Sequence, residues 1–273
     1  MTSHTILTLS AMLLASGAFA GMVAGLLGVG GGVVLVPVLS LLLGFLGISD
    51  DIAMHIAVAT SLTVIIATAI SSARAHRAKR ALDLSTVRRW MPAMALGALT
   101  GALLARTISG DVLRVLFVAL AFIVGISFIR GPGKTAPKRN MTLPTIGHYA
   151  VALLIGTLSA WLGIGGGSMS VPTLQATGLS VHKAVGTSAL LGLAIAIPGA
   201  IGFMIAGQGV TGRPVGSVGY VYWPAALTLA ATAALLAPVG AKLAHRLDQQ
   251  RLRQIFGIFL LLAGSNMLVK TWS

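Results

Sequence analysis

Two glycine clusters are the residues of this chain whose types and spacing most favour ligand chemistry. One reads Gly-Val-Gly-Gly-Gly at 28–32 and the other Gly-Ile-Gly-Gly-Gly at 163–167, and Val-Pro follows each. Both interrupt long apolar runs, where glycine normally destabilises a helix. A helix that starts at such a break offers unpaired N–H groups and a positive dipole end, which together attract an anion. The candidate substrate-binding residues here are Gly30, Gly31, Gly32, Gly165, Gly166 and Gly167.

Neither cluster fits a nucleotide-binding loop. A dinucleotide fingerprint would need glycine where Val33 and Ser168 stand, and no Gly-Lys-Ser/Thr follows as in a P-loop. The alternative is close helix packing, because small residues let membrane helices approach each other. The repetition, and the Pro37 and Pro172 that interrupt each segment again, favour a binding site.

A Thr-Ser pair stands at matching places in the two halves of the chain. A lone hydroxyl in a membrane helix usually bonds its own backbone, whereas a repeated pair favours a polar lining. Hydroxyl groups bind an oxyanion such as sulfite or a sulfonate, and they equally coordinate a cation through oxygen. The further substrate-binding candidates are Thr60, Ser61, Thr187 and Ser188.

A histidine precedes each Thr-Ser pair by five residues, at His55 and His182. Such a residue at a helix entrance serves either packing or proton transfer, so both are proton-coupling candidates. Every acidic residue falls in a predicted loop or turn, which removes the usual carboxylate relay and cation counter-charge from membrane depth. This pattern favours an anion or a neutral solute over a cation. The acidic residues are Asp50, Asp51, Asp83, Asp111 and Asp248.

No catalytic constellation is present. A Ser/His/acid set would need a buried acid, paired carboxylates are missing, and the chain has no cysteine. We therefore expect no enzyme, no cofactor and no metal site. Arg74 and Arg77 close the third apolar segment. They set topology beside lipid headgroups or, alternatively, concentrate anions at a cytoplasmic mouth.

The elements that position these residues are apolar helices. Of the 273 residues 56% are apolar and 9% charged, against roughly 25% charged in soluble domains. Mean hydropathy is +0.94. The second and seventh apolar segments are shorter than the roughly 20 residues of a full span. The segments are 5–27, 31–46, 53–74, 88–107, 112–130, 145–163, 166–179, 183–206, 220–243 and 254–271.

Further matches in the same order indicate an internal duplication. Trp-Met-Pro at 90–92 corresponds to Tyr-Trp-Pro at 222–224, and Leu-Arg at 113–114 corresponds to 252–253. Five crossings per half make the halves inverted. We predict an all-α polytopic membrane protein of two inverted-topology repeats, each with about five hydrophobic segments and glycine-broken helices or re-entrant hairpins. The predicted parts are repeat 1–130, basic linker 131–144 and repeat 145–273.

Charge gives the orientation. The formal net charge is +14, and basic residues gather in cytoplasmic loops of membrane proteins. Loops 74–90, 130–144 and 242–253 are therefore expected on the cytoplasmic side of a bacterial inner membrane. The expected partners are the lipid bilayer and a small anion, and a homo-oligomer is compatible with the chain. Nucleic acid is not expected, because no soluble fold carries the basic residues as a stripe.

At these residues the chain resembles the sulfite exporter TauE/SafE family, also called the toluene sulfonate uptake permease family. The resemblance rests on 28–37 and 163–172, and on the Ala-Val-x-Thr-Ser elements at 57–61 and 184–188. The basic loop after the third segment completes it, so that it covers essentially the whole chain. It implies an inner-membrane permease that moves sulfur-containing anions such as sulfite, sulfonates or sulfoacetate, usually outward.

We therefore predict a secondary anion transporter that works by alternating access around a midplane site. The resemblance implies that it is an exporter. Four other functions stay open: an anion channel, a permease for another small organic anion, a scaffold without substrate, and an intramembrane enzyme. The missing acids disfavour the enzyme.

Overall fold

The structure is a computed structural model that describes residues 3–27, 31–130, 144–243 and 249–272. The described residues form ten α-helices, one short 3-10 helix and one antiparallel pair of strands. In the first half they are α1 Ser3–Leu27, α2 Gly32–Phe45, α3 Asp50–Ala78, α4 Leu84–Leu104, the 3-10 helix Ala105–Thr107 and α5 Gly110–Arg130. In the second they are α6 Thr145–Leu162, α7 Gly167–Ala176, α8 Val181–Ala206, β1 Ser217–Val218, β2 Val221–Tyr222, α9 Trp223–Leu243 and α10 Gln249–Trp272.

The all-α polytopic fold predicted from the sequence is confirmed. By length and composition α3, α5, α6 and α8 can each cross a membrane, and shorter apolar stretches lie in α1, α2, α9 and α10. Large apolar side chains stay exposed on the outer helices, as lipid contact requires; Ile123 and Leu262 are each 68% exposed. The buried core instead centres on α3 and α8, which carry the Thr-Ser pairs.

The glycine clusters break the helices where the sequence places them. In each half a long helix ends and a short one begins a few residues later, α1 before α2 and α6 before α7. With 14 and 10 residues, α2 and α7 are about 21 and 15 Å long. A hydrocarbon core is about 30 Å thick. Neither short helix therefore crosses a membrane alone.

The central helices α3 and α8 pack against each other in opposite directions. His76, near the end of α3, lies within electrostatic range of His182 at the start of α8. At the other end, the Tyr220 ring contacts both His55 of α3 and Phe203 of α8. The corresponding helices α3 and α8 are thus antiparallel, as inverted repeats require of them.

Two helix pairs approach closely through small residues, α1 with α9 and α4 with α6. A Cβ atom on Gly97 would lie 2.2 Å from the Leu153 carbonyl oxygen, and one on Gly21 would lie 2.4 Å from Ala233. The Trp161 indole and the Thr157 hydroxyl of α6 donate to carbonyl oxygens of α4 at 2.8 and 3.0 Å. Close backbones and cross-helix hydrogen bonds are the usual means of helix association in lipid.

Some predictions fall on residues outside the described ranges. Gly30 is one of them, and so are nearly all of the basic linker and positions 244–248 of the third basic loop. Helices α1–α5 and α6–α10 fall on opposite sides of that linker, and the division into two repeats stays a prediction. The antiparallel strands β1 and β2, between α8 and α9, have no counterpart in the predicted segments.

We expect Gly97→Val to lower the melting temperature of the detergent-solubilised protein by more than about 5 °C, because the added side chain meets backbone. The matched control is Leu96→Val at the neighbouring position, which is 53% exposed and carries the same β-branched penalty. Its melting temperature should stay within about 2 °C of the parent. Equal shifts in both variants would mean that the α4–α6 contact does not hold the fold.

Candidate functional site

Gly31 and Gly166, which directly precede the two short helices, have the same backbone conformation. Gly31 precedes α2 with φ 73° and ψ −17°, and Gly166 precedes α7 with φ 73° and ψ −13°. This left-handed conformation is costly for any residue with a Cβ atom, which explains glycine at both positions. No side chain caps either helix. The first N–H groups of α2 and α7 therefore lack intrahelical acceptors.

The first turn of α2 packs directly on the second break. A Cβ atom on Gly32 would lie 2.5 Å from the Gly163 carbonyl oxygen and 3.0 Å from the Cα of Ile164. The buried Ser61 hydroxyl donates to that same Gly163 oxygen at 2.8 Å. The fold thus brings three of the predicted residues, Gly31, Gly32 and Ser61, to the second glycine cluster. Ser61 stands near the middle of α3.

Helices α3 and α8 form apolar walls around this meeting point. A Cβ atom on Gly165 would lie 2.8 Å from a methyl group of Ile65, and one on Gly166 would lie 2.4 Å from a methyl group of Ile195. Gly192 of α8 approaches the Gly165 carbonyl so closely that a Cβ there would lie 2.9 Å from the oxygen. The predicted Gly165, Gly166 and Gly167 are all buried. The peptide groups of these glycines therefore lie in mostly apolar surroundings.

Three buried hydroxyl groups beside the second break have no hydrogen-bond partner, namely those of Ser159, Ser168 and Ser170. Sequence reasoning missed them because it sought features that the two copies share. Their counterparts 135 positions earlier are Ala24, Val33 and Leu35. A search for polar residues present in only one copy would have found them.

Thr60 and Thr187 make equivalent contacts in the two halves. The Thr60 hydroxyl accepts a hydrogen bond from the backbone N–H of Tyr222 at 3.1 Å. The Thr187 hydroxyl accepts one from the N–H of Asp83 at 3.0 Å. Each threonine thus fixes the chain just before a helix of the other half. These contacts favour a positioning role, and substrate binding by either residue stays a prediction.

The Ser188 hydroxyl donates to the carbonyl oxygen of Val185 at 2.9 Å. This is the local backbone bond that a lone hydroxyl commonly makes in a membrane helix. Ser188 is almost fully buried. A direct contact with substrate at Ser188 also stays a prediction.

His55 is buried at the start of α3 among backbone carbonyls. Its Nδ1 lies 2.9 Å from the Asp51 oxygen, and its Nε2 lies 2.9 and 3.0 Å from the Ala105 and Ile108 oxygens. The ring also stacks on Tyr220, with centroids 4.9 Å apart. His55 therefore ties α3 to the α4–α5 corner.

Arg114 reinforces the same end of the protein. Its buried guanidinium group lies 3.2 Å from a carboxylate oxygen of Asp50 and 3.3 Å from one of Asp111. Both carboxylates are more than half exposed, so solvent screens them and the pairs contribute modestly to stability. Their geometry still holds the first turn of α3 against the first turn of α5.

The opposite end carries the basic residues and His182. Arg74, Arg77 and His182 are all exposed there, and their roles as a mouth and a proton carrier stay predictions. Asp83 begins α4 at this end. Hydrogen bonding from the Thr86 hydroxyl, and further bonds from Ser85, hold the pKa of the Asp83 carboxyl below its ordinary value.

Full charges are thus confined to the helix ends in the part of the chain that the structure describes. The Asp side chains described there lie in the first turn of α3, before α4 and in the first turn of α5. The local field at the glycine breaks comes from peptide dipoles and hydroxyl groups.

Three comparisons place the chain among known proteins. The family model described as "Sulfite exporter TauE/SafE" matches residues 13–267. A probable membrane transporter protein of Haemophilus influenzae is 34% identical over 258 residues, covering 93% of this chain and 96% of the relative. YunE, a probable membrane transporter protein of Bacillus subtilis, is 26% identical, with 94% and 96% covered.

A more distant relative is MJ0441 of Methanocaldococcus jannaschii, also named a probable membrane transporter protein, which is 26% identical with 96% of this chain covered. No solved structure matches the chain. The family model and the relatives extend over nearly the whole chain, across both glycine breaks and all of the central helices. The protein is a membrane transporter and belongs to the sulfite exporter TauE/SafE family.

Proposed function

We propose that this transporter carries small sulfur-containing anions, such as sulfite or organosulfonates, outward by alternating access. One observation supports the proposal: the uncapped start of α2 packs against the second helix break, between the central helices α3 and α8. Gly32 of the first break contacts Gly163 and Ile164 of the second. An uncapped helix start is a ready anion site, and in repeat transporters such sites lie at the repeat interface.

The distribution of charge supports an anion as cargo. The described carboxylates stand at helix ends, so nothing acidic faces the glycine breaks. The exposed Arg74 and Arg77 at the end of α3 would raise the local concentration of anions at a cytoplasmic mouth. The positive-inside rule supports a cytoplasmic basic face, and the proposal puts the protein in a bacterial inner membrane.

A difference between the two repeats supports alternating access. At one end His55 is 4% exposed and bonded to the α4–α5 corner, and α5 packs against α3. At the other end the counterpart His182 is exposed. The described parts of α8 and α10 show no packing comparable to that of α3 and α5. In the second state of the transport cycle the two repeats would exchange their packing. The basic end would then be closed and the His55 end open.

The first test is flux of labelled sulfite and sulfonates in proteoliposomes. We expect Gly166→Ala to lower flux at least about tenfold while the protein still inserts, because a residue with φ 73° cannot accept Cβ without strain and Ile195 occupies the space. Gly209→Ala is the matched control: its φ of 75° carries the same strain, with nothing within 4 Å of the added atom.

Flux by Gly209→Ala should stay within about twofold of the parent, a difference of less than 0.5 kcal/mol. Equal loss in both variants would mean that backbone strain, and not the break, limits transport. Normal flux in Gly166→Ala would contradict the proposed site. Flux of the parent that does not saturate with anion concentration would favour a channel.

The second test addresses the closed end. The chain has no cysteine, so Ala105→Cys introduces a single thiol at a fully buried position. We expect a membrane-impermeant thiol reagent to leave it unlabelled, and His55→Ala to expose it by releasing the α4–α5 corner. Val215→Cys, at a site 95% exposed on the same face, should label in both backgrounds. Labelling of Ala105→Cys that does not change with His55→Ala would contradict a closure held by that histidine.

A further inference from the structure

The second half of the chain has buried hydroxyl groups without a hydrogen-bond partner among the residues that the structure describes. Ser159 of α6 and Ser170 of α7 are both 0% exposed and lack hydrogen-bond partners. The Ser168 hydroxyl in the first turn of α7 is likewise unpartnered. Native proteins rarely leave such groups unpaired, because burial removes their bonds to water without compensation. Three in one place indicate that a ligand supplies the missing acceptors.

These hydroxyl groups converge on the start of α7. The position that a Cβ atom of Gly166 would occupy lies 3.3 Å from Ser170 Oγ and 3.8 Å from Ser159 Oγ. The N–H groups of the first turn open at the same cap, which no side chain occupies. Two hydroxyl donors from different helices therefore flank one uncapped helix start. This combination is a donor set for the oxygens of an anion.

The first repeat has the same break without the hydroxyl groups. Gly31 shares its backbone conformation with Gly166, but Val33 and Leu35 stand where the second repeat has Ser168 and Ser170. Both are buried and apolar. The first break therefore contributes its helix start alone, and side-chain donors come from one repeat only.

The total charge of the donors limits the charge of the ligand. Each uncapped helix start acts as about half a positive charge, and the C-terminal ends of α1 and α6 at the same breaks oppose it. The starts of α2 and α7 together therefore balance at most about one negative charge. The Lys and Arg side chains of the described residues stand near helix ends and in loops. Arg88, Arg130 and Lys183 are examples. A buried dianion would keep one charge without compensation, which is strongly unfavourable.

We infer that Ser159 and Ser170, with the first turn of α7, form a one-sided subsite for a monovalent oxyanion such as a sulfonate. This subsite rests on the proposed function and assigns its ligand contacts. Both hydroxyl groups donate to oxygens of the anion, and Ser168 is a third donor within the same turn. The start of α2 in the first repeat adds the electric field of its helix dipole and an apolar surface. The site accepts a sulfonate and discriminates against sulfate, which carries two charges.

The test uses the full chain purified in detergent, with methanesulfonate and sulfate as probes. We expect Ser159→Ala and Ser170→Ala each to raise the dissociation constant for methanesulfonate at least about tenfold, because each removes a hydrogen bond to a charged group. The matched control is Thr173→Val on α7, whose hydroxyl already donates to the Met169 carbonyl oxygen. It should change the constant by less than about twofold.

The ligand-free melting temperature separates binding from a structural role. Removing a buried hydroxyl that has no partner relieves a desolvation cost, so each Ser→Ala variant should melt at or above the parent temperature without ligand. A lower melting temperature with unchanged methanesulfonate affinity would make the hydroxyl structural and overturn the subsite. Because the two serines stand on different helices, either variant decides the question if the other folds poorly.

Sulfate tests the charge argument. Sulfate should bind at least about tenfold more weakly than methanesulfonate. Sulfate also stabilises proteins in general, and the Ser159→Ala/Ser170→Ala double variant measures that contribution. Equal binding of both anions would overturn the restriction to monovalent anions. Saturable sulfite flux in the parent, with affinity unaltered in both serine variants, would overturn this subsite and leave the proposed function standing. Absence of anion flux in the parent would overturn both.

Discussion

The structure depends on one constraint, which is that broken backbone inside an apolar bundle must find its hydrogen-bond partners within the protein or in a polar cavity. At the second break the Ser61 hydroxyl supplies one partner by donating to the Gly163 carbonyl. The absent side chain of Gly32 lets the first break approach to contact. Residues of the first half thus complete the surroundings of the second break, and the proposed site needs both halves of the chain.

The remaining interactions keep the two breaks facing each other. Thr60 and Thr187 each bind the backbone before a helix of the opposite repeat, which links the halves by paired contacts of the same kind. Small residues bring α4 against α6 and α1 against α9, where close backbone packing replaces the hydrophobic driving force that lipid cannot provide. The outer helices therefore act as a frame around α3 and α8.

The sequence predicted those features that depend on local pattern. Hydropathy indicated the ten segments, and repeated glycine and proline located the breaks, because both signals act over a few residues. The sequence could not predict contacts between distant residues, because these depend on how the helices pack. Examples are the hydrogen bond from the Tyr222 N–H to Thr60 and the contacts of His55 with the carbonyls of Ala105 and Ile108. The role of the Thr-Ser hydroxyl groups stays a prediction, and the proximity of Ser159 to Ser170 needed the α6–α7 geometry.

In a duplicated chain, the residues that both halves share can have a different role from the serines without a hydrogen-bond partner. If access alternates by exchanging the packing at the two ends, both repeats must retain the same break and the same anchoring threonines, and they do. A single bound anion needs its side-chain donors only once. One copy is then free to become apolar, as Val33 and Leu35 are, while the other keeps Ser168 and Ser170. Matching backbone at Gly31 and Gly166 with different side chains around it is therefore consistent with the proposed transport of one small anion.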